Sequence, residues 1–259
     1  VTLARRVLDW LATLPPTPRP QVVAISGPQG CGKSTLAAQL VADAELSGRR
    51  ALAVSVDDFY MTHAAQQALA AANPGNRCLE HRGYPGTHDV DLGTRTLAAL
   101  TASTPGRVTV PRYDKSAHGG RGDRSPESTW PSVETPLDLL VVEGWMLGFR
   151  PVAPSPADPD LRAPNAALEG YAPWLADVTA FVHLTAAAPE HIVAWRVDAE
   201  RTRRNTGAPA LSDAEARDYI ERFLPAYALW GPGLAASAPI DGPVLRVTLD
   251  ASRGPQSNQ

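Results

Sequence analysis

The chain has 259 residues, a formal net charge of −3 and a pI near 6.1, enough length for one α/β core with insertions and no charge excess to draw a polyanion. Neither nucleic acid nor a membrane is therefore an expected partner, no apolar run reaches the ~20 residues of a bilayer span, and residues 1–14 lack a signal-peptide core. Cys31 and Cys78 make neither a disulfide framework nor a metal-ligand pair, so a soluble, reducing, cytoplasmic setting is expected.

Leu3, Val7, Leu8, Leu11 and Leu14 recur at helical spacing, which predicts a helix over residues 1–14. Pro15, Pro16, Pro18 and Pro20 end it in a stiff connector. Gln21–Ser26 is a β-branched run leading into glycines, the pattern of a buried parallel strand. Lys33–Leu46 has helical spacing through Leu36, Ala37, Leu40 and Val41. Residues 51–56, 137–142 and 180–184 and Val244–Leu249 read as four further strands, with helices over 190–205 and 213–228. Residues 73–131 form a long Gly-, His- and Arg-rich stretch, and the proline-rich residues 151–164 read as a loop. Alternating strands and helices imply a parallel α/β sheet whose ligands sit at the carboxyl ends of the strands.

Gly27-Pro28-Gln29-Gly30-Cys31-Gly32-Lys33-Ser34 fills every fixed position of a P-loop, with Thr35 following in the helix. Glycines let backbone N–H groups converge on phosphate oxygens, and the helix start adds its positive dipole end. Lys33 can then reach the β- and γ-phosphates, and the Ser34 hydroxyl can ligate Mg²⁺. The bland alternative is a glycine turn between strand and helix. That loop serves GTPases, transport ATPases and kinases alike, so other residues must choose the reaction.

Asp57 and Asp58 follow the second strand, and Glu143 follows the third. Phosphoryl transfer needs a carboxylate to orient a hydroxyl and take its proton, and acids near the metal. Asp57 is the candidate base, Glu143 the candidate assisting acid, and Ser34, Asp57 and Glu143 the candidate Mg²⁺ ligands. One of the two aspartates is expected to serve only as local architecture, such as a helix cap.

Together, Gly27 to Ser34, Ser55 to Tyr60 and Glu143-Gly144 resemble the P-loop kinases that include uridine kinase, pantothenate kinase and phosphoribulokinase. Three further segments are similar to the plant-type D-glycerate 3-kinases: Arg82-Gly83-Tyr84-Pro85-Gly86-Thr87-His88-Asp89, Tyr113-Asp114-Lys115-Ser116, and Glu143-Gly144-Trp145-Met146-Leu147-Gly148-Phe149. Asn165, Leu168, Tyr171, Trp174, Trp195-Arg196 and Leu224-Pro225-Ala226-Tyr227 extend the likeness. The resemblance implies a five-stranded parallel sheet in the order 2-3-1-4-5, flanked by helices. It also implies ATP with Mg²⁺, and transfer to the 3-hydroxyl of D-glycerate. Uridine, pantothenate or ribulose-phosphate acceptors, or an ATPase switch, are the alternatives. The resulting division is residues 1–20 as helix and connector, 21–250 as kinase domain, and 251–259 as tail. Within the domain lie an acceptor-site insertion at about 73–131 and a lid at about 190–210.

A carboxylate-bearing acceptor asks for fixed cations, and Arg82, His88, Arg112, Lys115, Arg121 and Arg124 cluster in the insertion. The expected acceptor-side residues are Asp58, Tyr60, Arg82, His88, Asp89, Tyr113, Lys115, Arg121 and Arg124. About half of the arginines are expected merely to pair with surface acids. Lys33 and Lys115 are the only lysines, against a background of arginine, which singles out Lys115 as a contact to phosphate or carboxylate. Arg196, with Arg203 or Arg204, is expected in a lid over the γ-phosphate. The bland reading there is an i,i+4 pair between Glu200 and Arg204.

Overall fold

The computed structural model describes residues 2–17, 20–207 and 210–256. Val1, Pro18, Arg19, residues 208–209 of the expected lid and residues 257–259 of the expected tail lie outside them.

Five strands, β1 (Gln21–Ser26), β2 (Ala51–Ser55), β3 (Leu139–Gly144), β4 (Ala180–Ala186) and β5 (Val244–Leu249), form the central sheet. All pairs are parallel and the order is β2-β3-β1-β4-β5, as expected. The β3 strand lies two residues further along than its apolar run suggests. Register pairs Ser55 with Glu143 and Ser26 with Gly144, so Glu143 is the strand's own penultimate residue. Every residue of β3 is buried, because helices cover both faces of a parallel sheet.

The N-terminal helix Leu3–Ala12 is capped by Thr2 and sinks Val7 completely, packing against the Lys33–Leu46 helix. Residues 213–228 do not form one helix. Asp213–Glu221 stops and Leu224–Ala236 restarts, with Pro225 in its first turn where a missing N–H costs nothing. The 73–131 stretch holds more order than its composition suggests. It contains the helix Val90–Thr101, the strand Gly106–Thr109, which pairs antiparallel with Ser132–Thr135 just beyond it, and a short pair joining Tyr113–Asp114 to Asp123–Arg124. The helix lies so close to its neighbour that a Cβ at Gly93 would stand 2.5 Å from the Trp174 ring. Among the described residues no helix is long and apolar enough to cross a membrane.

Candidate active site

The P-loop joins β1 to the Lys33–Leu46 helix. Gly30 and Gly32 adopt positive φ, +79° and +97°, a region L side chains rarely occupy. Gly32 caps the helix with no side chain, which leaves the N–H groups of its first turn for an anion. Lys33 is buried and donates from Nζ to the Pro28 carbonyl at 2.9 Å, poised along the loop. Ser34 Oγ donates to the buried Glu143 Oε1 at 2.8 Å, so these two expected metal-side residues do meet. Gln29 N donates to Tyr227 Oη at 3.1 Å, which fastens the loop to the Leu224–Ala236 helix. Cys31 is buried, and burial pushes its thiol pKa up, the opposite of a reactive thiolate.

At the end of β2 the chain makes one 3₁₀ turn, Val56–Phe59, with Ser55 accepting from Asp57 N. The two aspartates then diverge. Asp58 accepts from Arg112 Nη1 and Tyr113 N, both at 3.1 Å, and so anchors the insertion. Asp57 accepts from Lys115 Nζ at 2.5 Å, across 58 residues of sequence. Burial raises the Asp57 carboxyl, but the Lys115 charge and hydrogen bond outweigh it and hold the pKa down to about 2. Asp57 reciprocally raises Lys115. The Tyr60 hydroxyl adds a smaller lowering influence on Asp57.

His88 is buried, stacked on Tyr60 with ring centroids 4.3 Å apart, and burial drives its pKa down to about 3 despite the nearby Asp57. Its Nδ1 lies 2.9 Å from Tyr171 Oη, which already accepts from Gly86 N at 2.9 Å. A phenol oxygen with that N–H on it satisfies its own proton by donating to Nδ1. The His88 proton therefore sits on Nε2, a buried donor with no partner. Tyr113 Oη is orphaned in the same way, and its ring meets Tyr60 edge-on at 5.3 Å.

The arginines of the insertion are largely committed. Arg82 donates to Gly120 O at 2.9 Å and Lys115 O at 3.3 Å, organising the loop that presents Lys115, and lies over the Tyr113 ring. Arg124 binds Asp89 Oδ2 at 3.0 Å and Tyr60 O at 3.1 Å. Asp89 Oδ1 caps the Val90–Thr101 helix, so both its oxygens serve architecture. Arg121 donates to the His81 ring. Of the expected acceptor-side cations, Lys115 is the one joined to the candidate base.

The lid helix runs Pro189–Asn205. The Glu200–Arg204 pair is not what forms: Glu200 is buried, accepting from Arg196 and, at 2.9 Å, from Leu211 N. Arg204 instead joins Arg201 on Asp213, and Arg203 is exposed. Arg196 lies 4.7 Å from the Tyr219 ring centroid and keeps a buried Nε without a partner. Sequence reasoning missed Tyr219 and Arg253, because each acts through contacts between distant segments. Arg253, in the supposed tail, donates to Gly30 O at 2.8 Å and Trp195 O at 3.1 Å, binding the P-loop to the lid helix.

The profile of the phosphoribulokinase/uridine kinase family matches residues 22–150. The uncharacterized kinase mug58 of Schizosaccharomyces pombe is 33% identical, over 96% of this chain and 95% of its own. The chain belongs to the phosphoribulokinase/uridine kinase family. The chloroplastic D-glycerate 3-kinase of Arabidopsis thaliana is 41% identical over 91% of this P-loop kinase family member, which spans 54% of the plant protein, about half its length. A solved D-glycerate 3-kinase from Cryptococcus neoformans superposes with a TM-score of 0.85 at 29% identity, covering 99% of this chain and 97% of that one. The P-loop and the sheet order thus belong to a family pattern.

Proposed function

We propose that this protein is an ATP-dependent kinase that transfers the γ-phosphoryl group to a small hydroxy acid, D-glycerate, giving 3-phosphoglycerate. The carrying observation is the Lys115–Asp57 ion pair at the end of β2. It places a movable ammonium on the carboxylate that must take the acceptor's proton. An incoming carboxylate gives Lys115 a second anion to bind, which weakens its hold on Asp57 and lets that group's basicity rise. The names of the plant and fungal relatives, both D-glycerate 3-kinases, support the same acceptor.

In this reading the acceptor carboxylate rests on Lys115, its hydroxyl faces Asp57, and His88 Nε2–H donates to one of its oxygens. The P-loop N–H groups and Lys33 hold the triphosphate, and Arg196 closes over it. The residues at Ser34 and Glu143 fit Mg²⁺: a hydroxyl and a buried carboxylate stand side by side. Among the described residues there is no cluster of three His, Cys, Asp or Glu that would suit a fully protein-bound metal. That sparse oxygen set suits an ion that keeps waters and takes phosphate oxygens, with Asp57, two residues past Ser55, the register partner of Glu143, as the candidate third oxygen. Mg²⁺ there would neutralise charge on the β- and γ-phosphates. A nucleoside acceptor is less well served, since Tyr60 already stacks on His88 and Tyr84 on Phe223, at 4.3 and 5.1 Å. A reducing, cytoplasmic setting is part of the proposal, with both cysteines free and buried.

A coupled ADP-release assay with Mg-ATP over D-glycerate, uridine, pantothenate and ribulose 5-phosphate tests it. Turnover with D-glycerate well above the others is expected. Turnover with uridine or pantothenate alone would overturn the acceptor while keeping the kinase. An ATPase rate indifferent to every acceptor would overturn the kinase itself.

A further inference from the structure

A cavity of about 250 Å³ lies behind the P-loop, between the ends of β1 and β4 and the Leu224–Ala236 helix. Its walls are apolar, with Trp145, Phe149, Ile192 and Pro232 among them. Its floor is not. Ser26 and His183 both line it, and they are register partners on adjacent parallel strands, so their side chains share one face. Ser26 is 1% exposed and His183 5% exposed, and both Ser26 Oγ and His183 Nδ1 lack a hydrogen-bond partner. Such orphans are costly, at ~1–3 kcal/mol each, and call for an explanation.

Water alone does not supply one. The volume would hold about eight waters at ~30 Å³ each, and each water needs two to four polar partners. Ser26 and His183, with Thr185 and Tyr227, can satisfy a few; the remaining walls are apolar and offer nothing to the rest. Burial and the neighbouring Arg246 lower the His183 pKa to about 4, so the imidazole is neutral and offers no charge to an anion. Adjacent strands stand ~4.8 Å apart, a span that one carboxamide can bridge by accepting from Ser26 Oγ–H and donating to His183 Nδ1.

We propose that this cavity is a second small-molecule site, for a neutral ligand of one-ring size with an amide or hydroxyl head on Ser26 and His183 and an apolar body against Trp145 and Ile192. The site adjoins the P-loop through Gly27 and Pro28 and is separate from the acceptor residues. None of Asp57, His88, Lys115 or Glu143 lines the cavity, and Asp57 follows β2, on the far side of β1 from β4. The assignment does not depend on which acceptor is phosphorylated.

Benzamide is the probe, titrated into the full chain by calorimetry, with toluene and benzoate as controls lacking the polar head or carrying a charge. Saturable benzamide binding is expected, at least tenfold tighter than either control and about tenfold weaker in Ser26→Ala. Gly231 lines the cavity, and a Cβ built there meets no atom within 4 Å. Gly231→Leu should therefore fill the space, keep or raise the melting temperature, leave ADP release unchanged and abolish benzamide binding. Failure of benzamide to saturate, undiminished binding to Gly231→Leu, or displacement of benzamide by a non-hydrolysable ATP analogue in a directly competitive manner would each overturn the proposal.

Discussion

Asp57 and Asp58 are chemically identical neighbours with different work, and their surroundings decide which does what. Asp58 is spent on Arg112 and the Tyr113 amide, whereas Asp57 holds a lysine that a substrate anion can draw away. Asp57→Asn should lower kcat by ~10²–10⁴-fold, the usual span for a lost general base, with ATP affinity retained in equilibrium binding. Lys115→Met removes the largest influence lowering the Asp57 pKa and leaves the burial that raises it opposed only by the smaller influences of His88 and Tyr60. Wild-type kcat/KM should show no acid limb from Asp57 until pH approaches about 2, whereas in the variant that limb moves upward past the ordinary carboxylate range. An unmoved acid limb would remove the ion pair from the mechanism. His88→Phe keeps a ring on Tyr60 and deletes the Nε2–H donor. Acceptor KM should rise by about tenfold, matching a lost hydrogen bond of ~1.4 kcal/mol, with ATP KM unchanged.

The P-loop is held from two sides by elements that sequence order places far away. Tyr227 on the Leu224–Ala236 helix takes the Gln29 amide, and Arg253 after β5 takes the Gly30 carbonyl. The same close approach requires glycine in the loop, since a Cβ at Gly30 would stand 2.9 Å from the Trp195 carbonyl carbon. Arg253→Ala should raise ATP KM by about fivefold, as expected for ~1 kcal/mol of lost hydrogen bonding, and leave acceptor KM alone. Steady-state kinetics varying each substrate in turn would show it; equal effects on both substrates would mean a general loosening instead. The lid helix carries a similar lesson. Glu200 turns inward to hold Arg196 and Leu211, so the expected lid cation Arg196 is positioned by a buried acid four residues on.

Across the whole molecule, two buried neutral histidines couple stability to pH. His88 and His183 have pKa values of about 3 and about 4, against ~6.5 in an unfolded chain. Between ~6.5 and those values the unfolded state binds protons that the folded state refuses, so stability falls as pH falls. Each histidine adds up to ~1.4 kcal/mol per pH unit in that window. Urea midpoints measured from about pH 7 to about pH 5 should decline accordingly, above the range where carboxylates titrate. His183→Phe should remove about half of the decline, and an unchanged slope would show that His183 takes up its proton while folded.

The P-loop and the five parallel strands were legible in the linear chain, and the order of those strands followed from the family resemblance. A phosphate cradle is local by nature, and β-branched runs between helical patterns leave few topologies for a right-handed parallel sheet. The same holds for Asp57, Asp58 and Glu143, which follow or finish strands and so must converge at one edge. The division of labour among them was not legible, nor was the fate of the cations. Arg82, Arg121 and Arg124 read from sequence as candidates beside Lys115, the lysine singled out there, but fold into contacts with carbonyls, a histidine ring and Asp89. Lys115 reaches Asp57 because Arg82 and Asp58 bring the insertion back over β2. Those partnerships span about 30 to 60 residues, far beyond any local periodicity, and only tertiary packing selects among donors of equal chemistry. The His88 tautomer and the Ser26–His183 floor of the rear cavity are of the same kind, properties of juxtaposition that no single segment contains.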